Sequence, residues 1–369
     1  MGAGAAGWAG RARAAETGSG GAEILLGQTG ILSGPLGAPI KAMLAGANLA
    51  FTQANAQGGI AGRRVRLLSV DDELKPDKAV ANYKALLAEQ RVLAFFGCVG
   101  SGTTAAAAPL LQESGAPMVG GYAVADSARR KVLGSAYFVR AGSGREAQAL
   151  VQHLTTLGIT RIATAQLDNP GGQEVVALIE AALAEHKLKL ELNVPVKGDG
   201  SNATEAGQTL ARQAPQAIIM YLAGTLPARV MKGHWAAGGT SSFYGMSIVP
   251  GEEVARVLGA ELRGLVVSQV VPYPWGQVDP AAGSFRKLAE AASVPVGYVA
   301  FEGYLNALVM LEALRRCGND LTRTRLHAAL RSIKQRFAGM DVDFGDRSAL
   351  AGSRFVDMVH VNGSGQFIR

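Results

Sequence analysis

The residues best placed to do chemistry lie in one stretch, Ala94-Phe95-Phe96-Gly97-Cys98-Val99-Gly100-Ser101-Gly102-Thr103-Thr104. Residues 92–96 are an apolar, β-branched and aromatic run suited to a central strand. The segment TTAAAAPLLQES reads as a helix, so Ser101, Thr103 and Thr104 stand at its first turn. Unpaired N–H groups and partial positive charge gather there, which suits a carboxylate or a phosphate. The competing reading makes Ser101 a helix cap without a ligand and turns one threonine inward. Tyr122, beside this seat, offers a ring wall or a phenol hydrogen bond, or is a half-buried core tyrosine. Asp71 and Asp72 are adjacent carboxylates, better suited to tying loops and capping the helix that opens at Pro76 than to holding a metal.

Catalytic patterns find no footing. An esterase nucleophile at Ser101 needs glycine two residues earlier, and Val99 is there. Gly100 to Ala105 fits a loose dinucleotide-binding pattern, but it follows the third strand and no acid closes the next one. His153, His186, His234, His327 and His360 are dispersed, without metal-ligand or triad spacing. No enzyme activity, metal or cofactor is expected. Cys98 and Cys317 could pair, but Cys98 follows a strand and Cys317 ends a helix, termini that usually lie at opposite ends of an α/β unit, which favours two separate buried thiols.

These residues need a scaffold, and strand and helix patterns alternate along the chain. Strands are expected at 23–27, 65–70, 92–96, 117–120 and 137–140, with helices at 40–56, 76–89 and from Thr103. A second round follows, with helices at 146–157, 173–186, 203–213 and 226–237 and strands at 161–166, 190–194, 217–221 and 242–246. A strand at 265–271, helices at 301–316 and 323–332, and a hairpin over 355–368 complete the chain. Short connections between alternating elements mean parallel sheets with right-handed crossovers. The fold class expected is α/β, two similar doubly wound, mostly parallel three-layer lobes. Ligands bind such sheets beyond the strand carboxyl ends, which adds Asn169, Thr225 and the loop after strand 242–246, with Ser247, to the candidates. Tyr221 and Trp275 suit either the cleft and hinge or the core.

The 369 residues carry 36 Lys and Arg against 29 Asp and Glu, a formal charge of +7. The cations are scattered without an aromatic-interleaved basic block, so no nucleic-acid partner is expected. No apolar run reaches the ~18 residues of a membrane span. Residues 1–22 are rich in Gly and Ala and lack a hydrophobic core, so they read as a disordered tail or as the remnant of a longer signal peptide, with Ala12-Arg13-Ala14 in the form of a cleavage site.

The runs ILLGQTGILSGP, NAQGGIAGRRVRLLSVDDELKPDKAV and FFGCVGSGTTAAAAPLLQESGAPMVGG resemble the leucine/isoleucine/valine-binding type of periplasmic solute receptor. The likeness covers the chain from Glu23 onward. It implies three hinge crossings, near 141–144, 271–275 and 335–341, and a ligand closed between lobes. Lobe one would comprise 23–142 and 273–337, and lobe two 143–272 and 338–369. It implies a periplasmic monomer delivering a small carboxylate to an ABC permease, with Ser101, Thr103 and Thr104 on the carboxylate. The family's amino-group partners fall on Val124 and Ser247, neither suited to an ammonium, and its disulfide positions fall on Leu74 and Gly100. A buried ammonium without a carboxylate costs several kcal/mol, so an amine-free acid is expected, with aromatic acids among the candidates. A ligand sensor of the same fold is the alternative, and an NAD-linked or hydrolytic enzyme a distant third.

Overall fold

The computed structural model describes residues 23–368; the expectations for 1–22 fall outside the described residues. The first sheet is built from β1 (Ile24–Gly30), α1 (Gly34–Ala56), β2 (Val65–Asp71), α2 (Pro76–Ala88), β3 (Ala94–Phe96), α3 (Ser101–Ser114), β4 (Met118–Val119), α4 (Asp126–Lys131) and β5 (Ala136–Tyr137). Its five strands are all parallel in the order β2-β1-β3-β4-β5. Ala94, Phe95 and Phe96 of the central β3 are fully buried, as a strand covered on both faces requires.

The second sheet follows from α5 (Ser143–Thr156), β6 (Ile162–Leu167), α6 (Pro170–Glu185), β7 (Leu192–Val196), α7 (Ala203–Gln213), β8 (Ala217–Tyr221), α8 (Leu226–Ala236), β9 (Ser242–Gly245), α9 (Gly251–Leu258) and β10 (Leu265–Gln269). The chain then returns to the first unit with α10 (Pro280–Ala291), α11 (Tyr298–Cys317) and α12 (Arg323–Arg331). It continues through β11 (Lys334–Phe337) and β12 (Met340–Asp343) and ends with β13 (Asp357–Val361) and β14 (Phe367–Ile368) on the second sheet. That sheet has the order β14-β13-β10-β9-β8-β6-β7, antiparallel only where β13 and β14 join its edge.

Close helix packing fixes the first lobe. A Cβ on Gly46 of α1 would lie 1.8 Å from the Ala300 carbonyl oxygen, and one on Gly303 of α11 would lie 1.9 Å from that of Met43. Only glycine at both positions lets these two backbones touch.

The two sheets are joined by three crossings. The first runs from β5 into α5 and carries Arg140. In the second, Trp275 stacks on Phe367 at 5.6 Å and meets Tyr298 edge-on at 5.7 Å, while the Tyr273 hydroxyl donates to the Phe367 carbonyl. Residues 335–341 lie in the hairpin β11–β12, turned by positive-φ Ala338 and Gly339. The passage to β13 comes after it, where Gly352 and Ser353 donate to the carbonyls of Phe138 and Val139 on the first crossing. Cys98 and Cys317 are buried and unpaired, and burial pushes the Cys98 thiol up to about 11.

Candidate functional site

Beyond the carboxyl end of β3 the chain turns at Gly100, whose φ of +94° favours glycine, and enters α3 at Ser101. The Ser101 hydroxyl accepts from the Ala125 N–H at 2.9 Å and reaches the Ala123 carbonyl at 3.5 Å. It therefore braces the loop 122–125 against the helix start. Thr103 points inward, and its hydroxyl bonds to the carbonyls of Val99 and Gly100. The buried Thr104 hydroxyl has no partner among the described residues. Helix α3 keeps its first-turn N–H groups as possible anion donors.

Asp71 accepts from the N–H groups of Leu32 and Glu73, and Asp72 from Leu74 N–H and the Thr29 hydroxyl. Both tie loops. Burial raises the Asp72 carboxyl, whereas the backbone donors of Leu32 and Glu73 lower that of Asp71. Among the described residues no group of three or more His, Cys, Asp or Glu is arranged to hold a metal.

A narrow cleft lies between the sheets. Tyr122, Ala123, Val124 and Arg129 line it from the first unit, Arg140 from the crossing, and Glu146, Tyr221, Met246 and Ser247 from the second. Thus Tyr122, Val124 and Ser247 meet at one site. Ser101 stands behind their loop. Asn169 caps α6 through Gly172 N–H, and the exposed Thr225 precedes α8; neither lines this cleft.

Arg140 forms the centre of the cleft's polar wall. Its guanidinium contacts Glu302 Oε1 at 3.4 Å, Glu146 Oε1 at 3.5 Å and the Ser247 hydroxyl, and it lies 5.1 Å from the Tyr122 ring centre. Glu146 also accepts from Ser247 N–H at 2.9 Å, the Ser247 hydroxyl at 3.0 Å and the Ser268 hydroxyl at 2.8 Å. Burial alone would lower the Arg140 pKa, but Glu302 and Glu146 outweigh it and hold the guanidinium charged. Burial raises the Glu302 carboxyl. Burial also pushes the Tyr221 phenol up to about 12, helped by Glu146. Removing one partner of a buried ion pair typically costs about 3–5 kcal/mol.

Arg129 is fixed beside this network. It donates to the carbonyls of Val124, Arg140, Ala141 and Leu350, and burial pulls its guanidinium down to about 10. Asp126 accepts from the N–H groups of Ser143 and Gly144 at the start of α5. In return, Glu174 of α6 accepts from the backbone N–H and hydroxyl of Ser127 in α4. Each unit thereby supplies a carboxylate to the other's helix N-terminus.

A profile of the periplasmic binding protein family matches residues 23–362. The chain belongs to that family. Its fold is that of the type I periplasmic binding proteins. A substrate-binding periplasmic protein from Ralstonia solanacearum is 28% identical, with a TM-score of 0.87 over 94% of this chain and 99% of its own. A possible leucine/isoleucine/valine-binding protein from Rhodopirellula baltica is 24% identical, with a TM-score of 0.86 over 94% and 96%. An ABC transporter solute-binding protein from R. palustris, in complex with benzoate, is 18% identical, with a TM-score of 0.81 over 94% and 95%. The last two attest the fold. Among curated proteins none matches the sequence.

In this periplasmic binding protein, the sequence reading missed Arg129, Arg140, Glu146 and Glu302. A signal existed for two of them. Arg140 ends the otherwise apolar run AYFV at a crossing, and Glu302 is the only charged residue between Tyr298 and Leu311 in α11. An acid does stand beside Ser247, but it comes from α5, far away in sequence.

Proposed function

We propose that the protein is the solute-binding component of an ABC-type importer. It captures a small carboxylate between its lobes in the periplasm and presents the closed form to a membrane permease. The cleft carries this reading, because Tyr122 and Val124 on one lobe face Tyr221 and Ser247 on the other across a charged crossing. The ligand's carboxylate is directed toward the N-terminus of α3, where first-turn N–H groups and the dipole favour an anion, and Ser101 holds the loop 122–125 that frames that seat. Asn169 and Thr225 stand on lobe-two loops and contact larger ligands at the rim. Benzoate in the R. palustris protein shows that the fold accommodates an amine-free acid. The architecture serves capture and release by a monomer rather than turnover.

Thermal-shift measurements on the purified protein test the proposal, using branched-chain, polar and aromatic amino acids together with aliphatic, arylalkyl and benzoic acids. A true ligand at a hundred times its Kd adds about 2.7 kcal/mol to stability. Tyr122→Ala is expected to abolish the shift. No shift with any carboxylate in the panel, or an undiminished shift in Tyr122→Ala, would overturn the reading.

A further inference from the structure

The corner of the cleft nearest Ser247 has the parts of an ammonium site, namely buried carboxylates and an aromatic face. All of them are already occupied. Glu146 holds two serine hydroxyls and a backbone N–H as well as Arg140. Glu302 pairs with the other guanidinium arm, and the Tyr122 ring lies against the same cation. Asp126 is held at the start of α5 by Ser143 and Gly144 and lies beside Arg129. Glu252, the remaining acid acting on Tyr122, accepts from the Tyr298 N–H at the start of α11.

We infer that Arg140 is a built-in substitute for the ligand's ammonium group, so that the site takes carboxylic acids lacking an α-amino group and excludes amino acids. The inference rests on the proposed function and names the ligand class of that same cleft. An arriving ammonium finds the buried Glu146 and Glu302 already neutralised by Arg140, while the amine-free acid leaves the Arg140 network intact. The charge is held rigidly, since Arg140 is buried and its own carbonyl accepts from Arg129. Arg140 acts as the specificity-determining residue, and Glu146, Glu302 and Ser247 position it.

Isothermal titration of the full chain with matched pairs tests this: 4-methylpentanoate against L-leucine, 3-phenylpropanoate against L-phenylalanine, and phenylacetate against L-phenylglycine. The amine-free member of at least one pair is expected to bind about 100-fold or more tighter, the scale of an ammonium buried without a free carboxylate partner. Arg140→Met vacates Glu146 and Glu302 and is expected to shrink that ratio at least about tenfold. Arg140→Lys, which keeps the charge, should preserve the preference and guards against failure of the methionine variant to fold. Tighter binding of the amino acids, or a ratio unchanged in a folded Arg140→Met protein, would overturn the inference and leave the carboxylate-receptor reading standing. Silence of every acid in the wider thermal-shift panel would overturn both.

Discussion

Thr104 and Ser101 stand three residues apart on α3, yet their hydroxyls are in opposite circumstances. The Thr104 hydroxyl is buried with no partner among the described residues. A buried hydroxyl left unpaired typically costs about 1–3 kcal/mol, and valine has nearly the same shape. Thr104→Val is therefore expected to raise the ligand-free stability by about 1 kcal/mol, read by urea denaturation. A fall in stability would mean that the hydroxyl is satisfied. If the hydroxyl receives the ligand carboxylate, the same variant binds more weakly although it is more stable. Ser101→Ala should behave in the opposite sense, because it strips the Ala125 N–H of its acceptor. The sequence made the hydroxyls at this helix start legible, since Gly and Ser/Thr at a strand-to-helix turn form a local pattern. Their directions were not legible. Whether Thr103 turns to Val99 or to the cleft depends on φ and rotamer, which residue type leaves open.

The six-residue helix α4 and the long helices α5 and α6 meet across the cleft through Asp126 and Glu174. Because they bridge the two units, these contacts are expected to stabilise the facing arrangement of the lobes more than either fold. Glu174→Ala is expected to accelerate ligand release about tenfold, as is usual when an interface contact is lost, with little change in the unfolding midpoint. Stopped-flow release measured beside thermal melts checks it; an unchanged release rate with a lowered melting temperature would assign Glu174 to fold stability alone. The long alternating elements were readable because their apolar periods exceed two turns or a full strand. Helix α4 was not, since DSARRK has no apolar period and is held by Arg129 reaching three distant carbonyls and one nearby. Helices α9 and α10 were missed as well; α9, at eight residues, is too short to stand without the sheet it covers.

At the scale of the whole molecule, each lobe shields one histidine from water, fully at His234 and in part at His327. In lobe two, His234 is fully buried, accepts from Ser241 N–H through Nε2 and meets the Phe243 ring edge-on. In lobe one, His327 Nδ1 lies 2.8 Å from the Tyr137 hydroxyl. Burial lowers both pKa values, and Arg331 adds to the effect at His327. With native pKa below the unfolded value near 6.5, the unfolded chain binds more protons as pH falls through that range. Stability is thus full above about pH 6.5 and declines below it, by at most about 1.4 kcal/mol per pH unit for each histidine. The buried acids Asp72 and Glu302 have raised pKa values and act in the opposite sense, favouring the fold at low pH and losing that contribution as pH rises through their native values. The raw melting curve mixes these opposing terms, so a difference isolates the histidine. Comparing wild type with His234→Gln between pH 7.5 and 5.5 cancels the acids. The stability advantage of wild type over the variant should shrink as pH falls, because only wild type must protonate or exclude a proton at this site. A difference independent of pH would show that His234 titrates alike in the folded and unfolded chain, and acid lability would then have to come from His327 in the other lobe.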